Sequence, residues 1–224
     1  MTVRQKVAIF TDKYPLIGPL VWVLTAQYFA AQIIVAHTWP APGYSWSKNA
    51  ISDLGNTTCY HPDVQRFICS PDHAVMNASF ILLGLTMALG SLLIYQEFNR
   101  SRASLAGFSL MALAGVGTVL VGLFPENTVT WVHFLGAFLA LAVGNISLII
   151  LGLSLDRVRP VFRLYTLISG LMSFGFFGLF AAGIYLGLGL GGMERLAGYP
   201  QTTWLILFGL YMTGSHYRRH RQRA

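Results

Sequence analysis

Charge is scarce in this sequence. Only 10% of its 224 residues are Asp, Glu, Lys or Arg, against about 25% in a soluble chain. With 54% hydrophobic residues beside that shortage, a water-soluble core cannot absorb the composition, and a bilayer can. Acids are the scarcer sign, eight against fifteen cations. The resulting formal charge of +7 does not mark a nucleic-acid binder, because no basic face with interleaved aromatics is present. Cysteine is limited to Cys59 and Cys69, a pair that matches no common zinc spacing. The sequence also lacks a Gly-x-Ser-x-Gly elbow, a His-x-x-Glu-His helix motif and any internal repeat, so no familiar hydrolase motif names the chemistry.

What is there is six apolar runs of the length a membrane helix needs, about 20 residues. They are Leu16–Thr38, Ala74–Tyr95, Ser104–Phe124, Thr130–Leu153, Leu164–Leu188 and Gln201–Tyr217. The pattern predicts an all-α integral membrane protein, with six transmembrane helices in one bundle over residues 15–217. A cytoplasmic segment, 1–14, precedes the bundle, and a basic cytoplasmic tail, 218–224, follows it. Arg4, Lys6 and Lys13, with Val7, Ile9 and Phe10, suit a short interfacial helix or a frayed basic tail. The first apolar run is too long for a cleaved signal peptide, and no small-residue cleavage site follows it.

Twelve cations (Arg4, Lys6, Lys13, Arg100, Arg102, Arg157, Arg159, Arg163, Arg218, Arg219, Arg221 and Arg223) fall on one side of these runs. Three, Lys48, Arg66 and Arg195, fall on the other. The positive-inside rule then places both termini in the cytoplasm of a cytoplasmic (plasma) membrane, which requires an even number of spans. The polar loop 39–73 between the first two helices faces the extracytoplasmic side.

That loop holds both cysteines, in a compartment where a disulfide forms and persists. A Cys59–Cys69 bridge is expected, removing roughly 3 kcal/mol of loop entropy from the unfolded chain. Ser70-Pro71-Asp72 reads as a helix start, with Ser70 capping, Pro71 at the first position and Asp72 at the positive dipole end. His73, Asn77 and Gly84 then share a face. In the fourth run Gly136, Ala140 and Gly144 form a small-residue stripe that admits another helix. Asn145, about a third of a turn from His133, reads as an interhelical hydrogen bond. The Gly187–Gly192 run lacks the Lys of a phosphate loop and reads as a flexible end to the fifth helix.

Asp53, His73, Glu126 and His133 come from three separate outer segments, with Asn49, Ser52, Asn77 and His37 at similar depth. Ionisable groups at such depth usually face a bundle interior or a water-filled cavity. In a functional reading, Asp53, His73 and His133 would hold zinc or another divalent metal. Without a metal, Asp53 would orient a His as general base, with Ser52 or water as nucleophile and Glu126 in the same catalytic set. Asn49, Asn77 and His37 would contact substrate. The activity implied is a membrane-embedded hydrolase or acyl transferase on lipid. A structural reading stands beside it: Ser52 and Asp53 cap loop amides, His133 and Asn77 bond between helices, and Glu126 sits in water. The chain would then organise lipids or partner proteins without turnover. A small-solute transporter fits less well, because no ionisable residue lies at the centre of a span. Membrane lipids are the expected partners, with a homo-oligomer as a further expectation.

Several of these stretches carry a family resemblance. Asn49-Ala-Ile-Ser52-Asp53-Leu-Gly55, Asn77-Ala-Ser79-Phe80-Ile, Gly115-Val-Gly117 through Gly122-Leu-Phe-Pro125-Glu126, and His133-Phe-Leu-Gly136-Ala137 resemble the bacterial and archaeal membrane family called "domain of unknown function 998". The likeness runs from about residue 15 to 190. The Ile-Ser-Asp-x-Gly element is also similar to the Frag/DRAM/Sfk six-helix membrane proteins, some of them tied to glycolipid-anchor remodelling and lipid asymmetry. That second likeness covers the first two helices and their loop, and the Pro-Pro-Glu that often follows there is absent here. Neither resemblance implies an established reaction.

The topology is testable directly. A single cysteine introduced as Lys48→Cys is expected to react with an impermeant maleimide on intact cells, and Arg102→Cys only after permeabilisation. Equal labelling of the two would overturn the orientation.

Overall fold

The computed structural model describes residues 2–64, 66–98, 101–156 and 158–221, without the side chains of Val3, Arg4 and residues 217–221. Of the cations counted above for orientation, Arg4, Arg100, Arg157, Arg218, Arg219, Arg221 and Arg223 therefore lie outside the described residues or side chains. Among the described residues the chain forms seven helices and one small hairpin. Helix α1 is Val3–Lys13. Helices α2 (Ile17–His37), α3 (His73–Glu97), α4 (Arg102–Leu123), α5 (Thr130–Ser154) and α6 (Pro160–Ala181) are each long and apolar enough to cross a membrane. Helix α7 is Gly189–Arg221. Strands β1 (Tyr60–Asp63) and β2 (Arg66–Ile68) pair antiparallel within the loop between α2 and α3, with Tyr60 opposite Ile68.

Local chemistry accounts for three helix starts. Thr2 and Gln5 form a reciprocal capping box at α1, Ser101 accepts from the Ser104 amide at α4, and Pro160 opens α6. The last two expected runs move. Helix α6 stops at Ala181 rather than Leu188, because Gly183, Leu186 and Gly187 take positive φ and turn the chain. The apolar side chains of 182–188 hide that turn. Helix α7 begins at Gly189 rather than Gln201, and the polar Glu194, Arg195, Gln201 and Thr202 on it keep it out of the strongly apolar set. Its 33 residues still measure about 50 Å at about 1.5 Å per residue. The Ser70 cap is also corrected. Asp72 precedes α3 without a side-chain cap bond, and the Ser70 hydroxyl instead donates to the Leu54 carbonyl at 2.7 Å.

The helices close into a ring. Each of α2 to α7 packs on the next, and α7 returns to α2. Glycine makes the tightest seams possible. A Cβ added to Gly117 of α4 would lie 2.6 Å from the Gly136 carbonyl oxygen of α5, and one on Gly136 would lie 2.6 Å from that of Gly117. Gly144 faces Gln201 of α7, so the stripe serves two neighbours rather than one. Between Gly136 and Gly144, α5 contains a π-helical turn, Leu139–Val143.

One end of the ring is filled by rings. Trp22, Trp204 and Phe208 are fully buried, with centroids 4.8 to 5.6 Å apart. Phe98, Phe108 and Phe162 extend the cluster. The opposite end collects the α2–α3 loop, the α4–α5 turn and the start of α7.

Gly136→Leu is expected to destabilise the bundle by roughly 1–3 kcal/mol or more, as overpacking does. Gly175→Ala, whose Cβ would meet nothing within 4 Å, should be tolerated. Folded yield and thermal unfolding of the purified variants check both.

Candidate functional site

The loop between α2 and α3 is folded on two charged side chains. Asp53 lies in the short 3-10 turn Ser52–Gly55 and is fully buried. Its Oδ2 accepts from the Ala50 amide (2.9 Å) and Asn49 Nδ2 (3.1 Å), with Arg66 Nη1 at 3.6 Å. Its Oδ1 has no hydrogen-bond partner. Burial outweighs Arg66 and the donors, and pushes the Asp53 carboxyl up to about 6. Asn49 extends the knot. Its Nδ2 also donates to the Phe67 carbonyl of β2, and its Oδ1 accepts from the Ser45 amide. The hairpin is closed by the expected Cys59–Cys69 disulfide.

Arg195, nearly two turns into α7, holds the other half of the loop. Its guanidinium donates to the carbonyls of Trp46 (2.9 Å), Asn49 (3.0 Å) and Gly191 (2.8 Å), and to the hydroxyls of Tyr44 and Tyr199. It also lies 4.9 Å from the Trp46 ring centre. The glycine run is thus a docking surface rather than a loose helix end. The Gly191 and Gly192 amides donate to the Ser47 carbonyl, and the Asn49 carbonyl occupies the space a Cβ on Gly191 would need.

Beneath the loop lies a cavity of about 70 Å³ with an open mouth. Ile51, Ser52, His133 and Glu194 line its loop end. Phe80, Leu83, Met87 and Val121 form apolar walls, and Thr118, Gln201 and Thr202 add polar groups. The mouth is tied together by hydrogen bonds between distant segments. Ser52 Oγ donates to Glu126 Oε2 (2.9 Å), and the Ile51 amide donates to Glu194 Oε2 (2.6 Å). Asn127 bonds the Thr57 and Thr58 hydroxyls, and His133 Nδ1 is paired with the Phe124 carbonyl at 3.0 Å.

The candidate residues therefore divide. Ser52, Glu126 and His133 gather at the cavity mouth. Asp53 faces the loop's own core and does not line the cavity. His73 Nδ1 is paired with the Ser70 carbonyl at 3.0 Å, and Asn77 donates to the Gly55 carbonyl at 2.9 Å. His37 is exposed and paired with Ile33 of its own helix. Among the described residues no three His, Cys, Asp or Glu side chains are grouped to hold a metal ion, so Asp53, His73 and His133 do not form such a set. Reading the sequence does not single out Glu194, Arg195, Arg66 or Tyr44. The available signal was a lone acid–base pair directly after a glycine run and just before a span.

A ring of apolar helices roofed by a hydrogen-bonded polar loop defines a multi-pass helical membrane protein. The chain belongs to the family described as "Protein of unknown function (DUF998)", whose model matches residues 21–211, from within α2 to within α7. No curated protein and no solved structure matches it.

Asp53 generates a pH prediction. A carboxyl raised from 3.8 to about 6 on folding favours the folded state when protonated. That contribution is complete below about pH 4 and is lost as pH rises through 6. The loss amounts to roughly 3 kcal/mol at about 1.4 kcal/mol per unit. Asp53→Asn should flatten this part of the stability profile, measured by thermal unfolding between pH 4 and 7.5.

Proposed function

We propose that this protein is a six-span bundle with both termini in the cytoplasm, whose outer-leaflet end binds a lipid-like amphiphile. In this reading α7 is the sixth crossing, completing the ring between α6 and α2. The twelve-to-three cation split turns the loop end outward. The observation that carries the binding function is the cavity itself. Its interior volume of about 70 Å³ is several times the roughly 10–15 Å³ that one water needs. Its loop end carries Ser52, His133 and Glu194 and its walls carry Phe80, Leu83, Met87 and Val121, the two-part chemistry of an amphiphile.

Filling the cavity tests this. Ala137 is on its wall, and Ala137→Trp is expected to abolish co-purification of bound lipid, read by native mass spectrometry, while the protein still folds. Undiminished lipid on a folded variant would sink the proposal. The Ser52–Glu126 bond beside His133 favours a second reading, hydrolysis or acyl transfer on the bound molecule. Glu126 would then receive the Ser52 proton.

A further inference from the structure

Among the described residues that line the cavity, Glu194 is the only acid, and neither Lys nor Arg is present. A second carboxylate, Glu126, stands one hydrogen bond behind Ser52. Two of the three loop-end cations are engaged elsewhere, Arg195 on the Trp46, Asn49 and Gly191 carbonyls and Arg66 on Asp53 and Asp63, and the third, Lys48, is not among the cavity's lining residues. An anionic headgroup would face two carboxylates with no lining cation to neutralise it, in a setting of low dielectric.

Resting on the reading of the cavity as an amphiphile site, we infer that its ligand is a long-chain primary amine rather than a fatty acid or a phosphorylated lipid. The ammonium group lies at the mouth against Glu194 and the Ser52–Glu126 pair, and the chain runs down between Phe80, Leu83 and Met87. An ammonium offers three donors and no acceptor, and its charge is opposite to that of the two carboxylates.

The test uses the full chain purified in a non-ionic detergent, titrated with decylamine, decanol and decanoate at pH 7.5. Wild-type protein is expected to bind decylamine at least about tenfold more tightly than decanoate, a difference of about 1.4 kcal/mol, with decanol between. Glu194→Gln should bring decylamine close to decanol. Where that variant fails to fold, Glu126→Gln gives the same reading. Decanoate binding as tightly as decylamine, or a folded Glu194→Gln with an unaltered ratio, overturns the inference and leaves the amphiphile site standing. If none of the three binds, or Ala137→Trp binds all three as wild type does, the site itself falls.

Discussion

The loop end of this molecule depends on one guanidinium. Residues 38–72 form little regular structure beyond a short hairpin, so their carbonyls need donors from elsewhere, and near a bilayer an unpaired carbonyl is expensive. Arg195 supplies a rigid fork of donors to Trp46 and Asn49, partners 149 and 146 positions away in sequence. The loop after the first span is therefore completed by the start of the last helix. The same contact brings Glu194 to the Ile51 amide, so roof and ring close together. Arg195 is 8% exposed, which means that its charge is spent inside the protein rather than on solvent.

The cavity follows from this closure combined with small residues. Glycine seams draw α3, α4 and α5 together, which leaves the wall residues Phe80, Leu83, Met87 and Val121 facing a common space. Its far side is α7, with Gly198, Gln201 and Thr202. A tight seam on one side and a polar, glycine-interrupted helix on the other produce a void where a uniformly apolar helix would fill it. Ser52 sits in that void because Asp53, its neighbour, is pulled the opposite way into the loop core. Adjacent residues thus take separate tasks, one facing the cavity and the other holding the loop.

Much of this was legible in the sequence, and the failures have definite causes. Five spans stand out because an apolar stretch needs no context to be recognised, and the paired cysteines follow from their compartment. The sixth element was displaced because Ala182–Leu188 is apolar yet turned by Gly183 and Gly187, and hydropathy does not register φ. The site was half legible. Ser52, Glu126 and His133 converge as their common depth suggests, whereas His37 and His73 are satisfied by carbonyls close by in sequence. Arg195 was invisible because its importance lies in backbone carbonyls, which every residue possesses and no motif spells.

The π turn in α5 sets which residues of that helix share an interior. His133 and Asn145 are twelve positions apart, about 120° around a regular helix at about 100° per residue. One surplus residue in the Leu139–Val143 turn takes back about 100° and leaves about 20°. Both side chains are accordingly buried, at 3% and 0% exposure, with Asn145 donating to the Ala197 carbonyl of α7. The wide turn acts as a phase shifter between the membrane's two halves. A regular α-helix through the same twelve positions would leave His133 at the cavity and swing the Asn145 amide about 120° away from it.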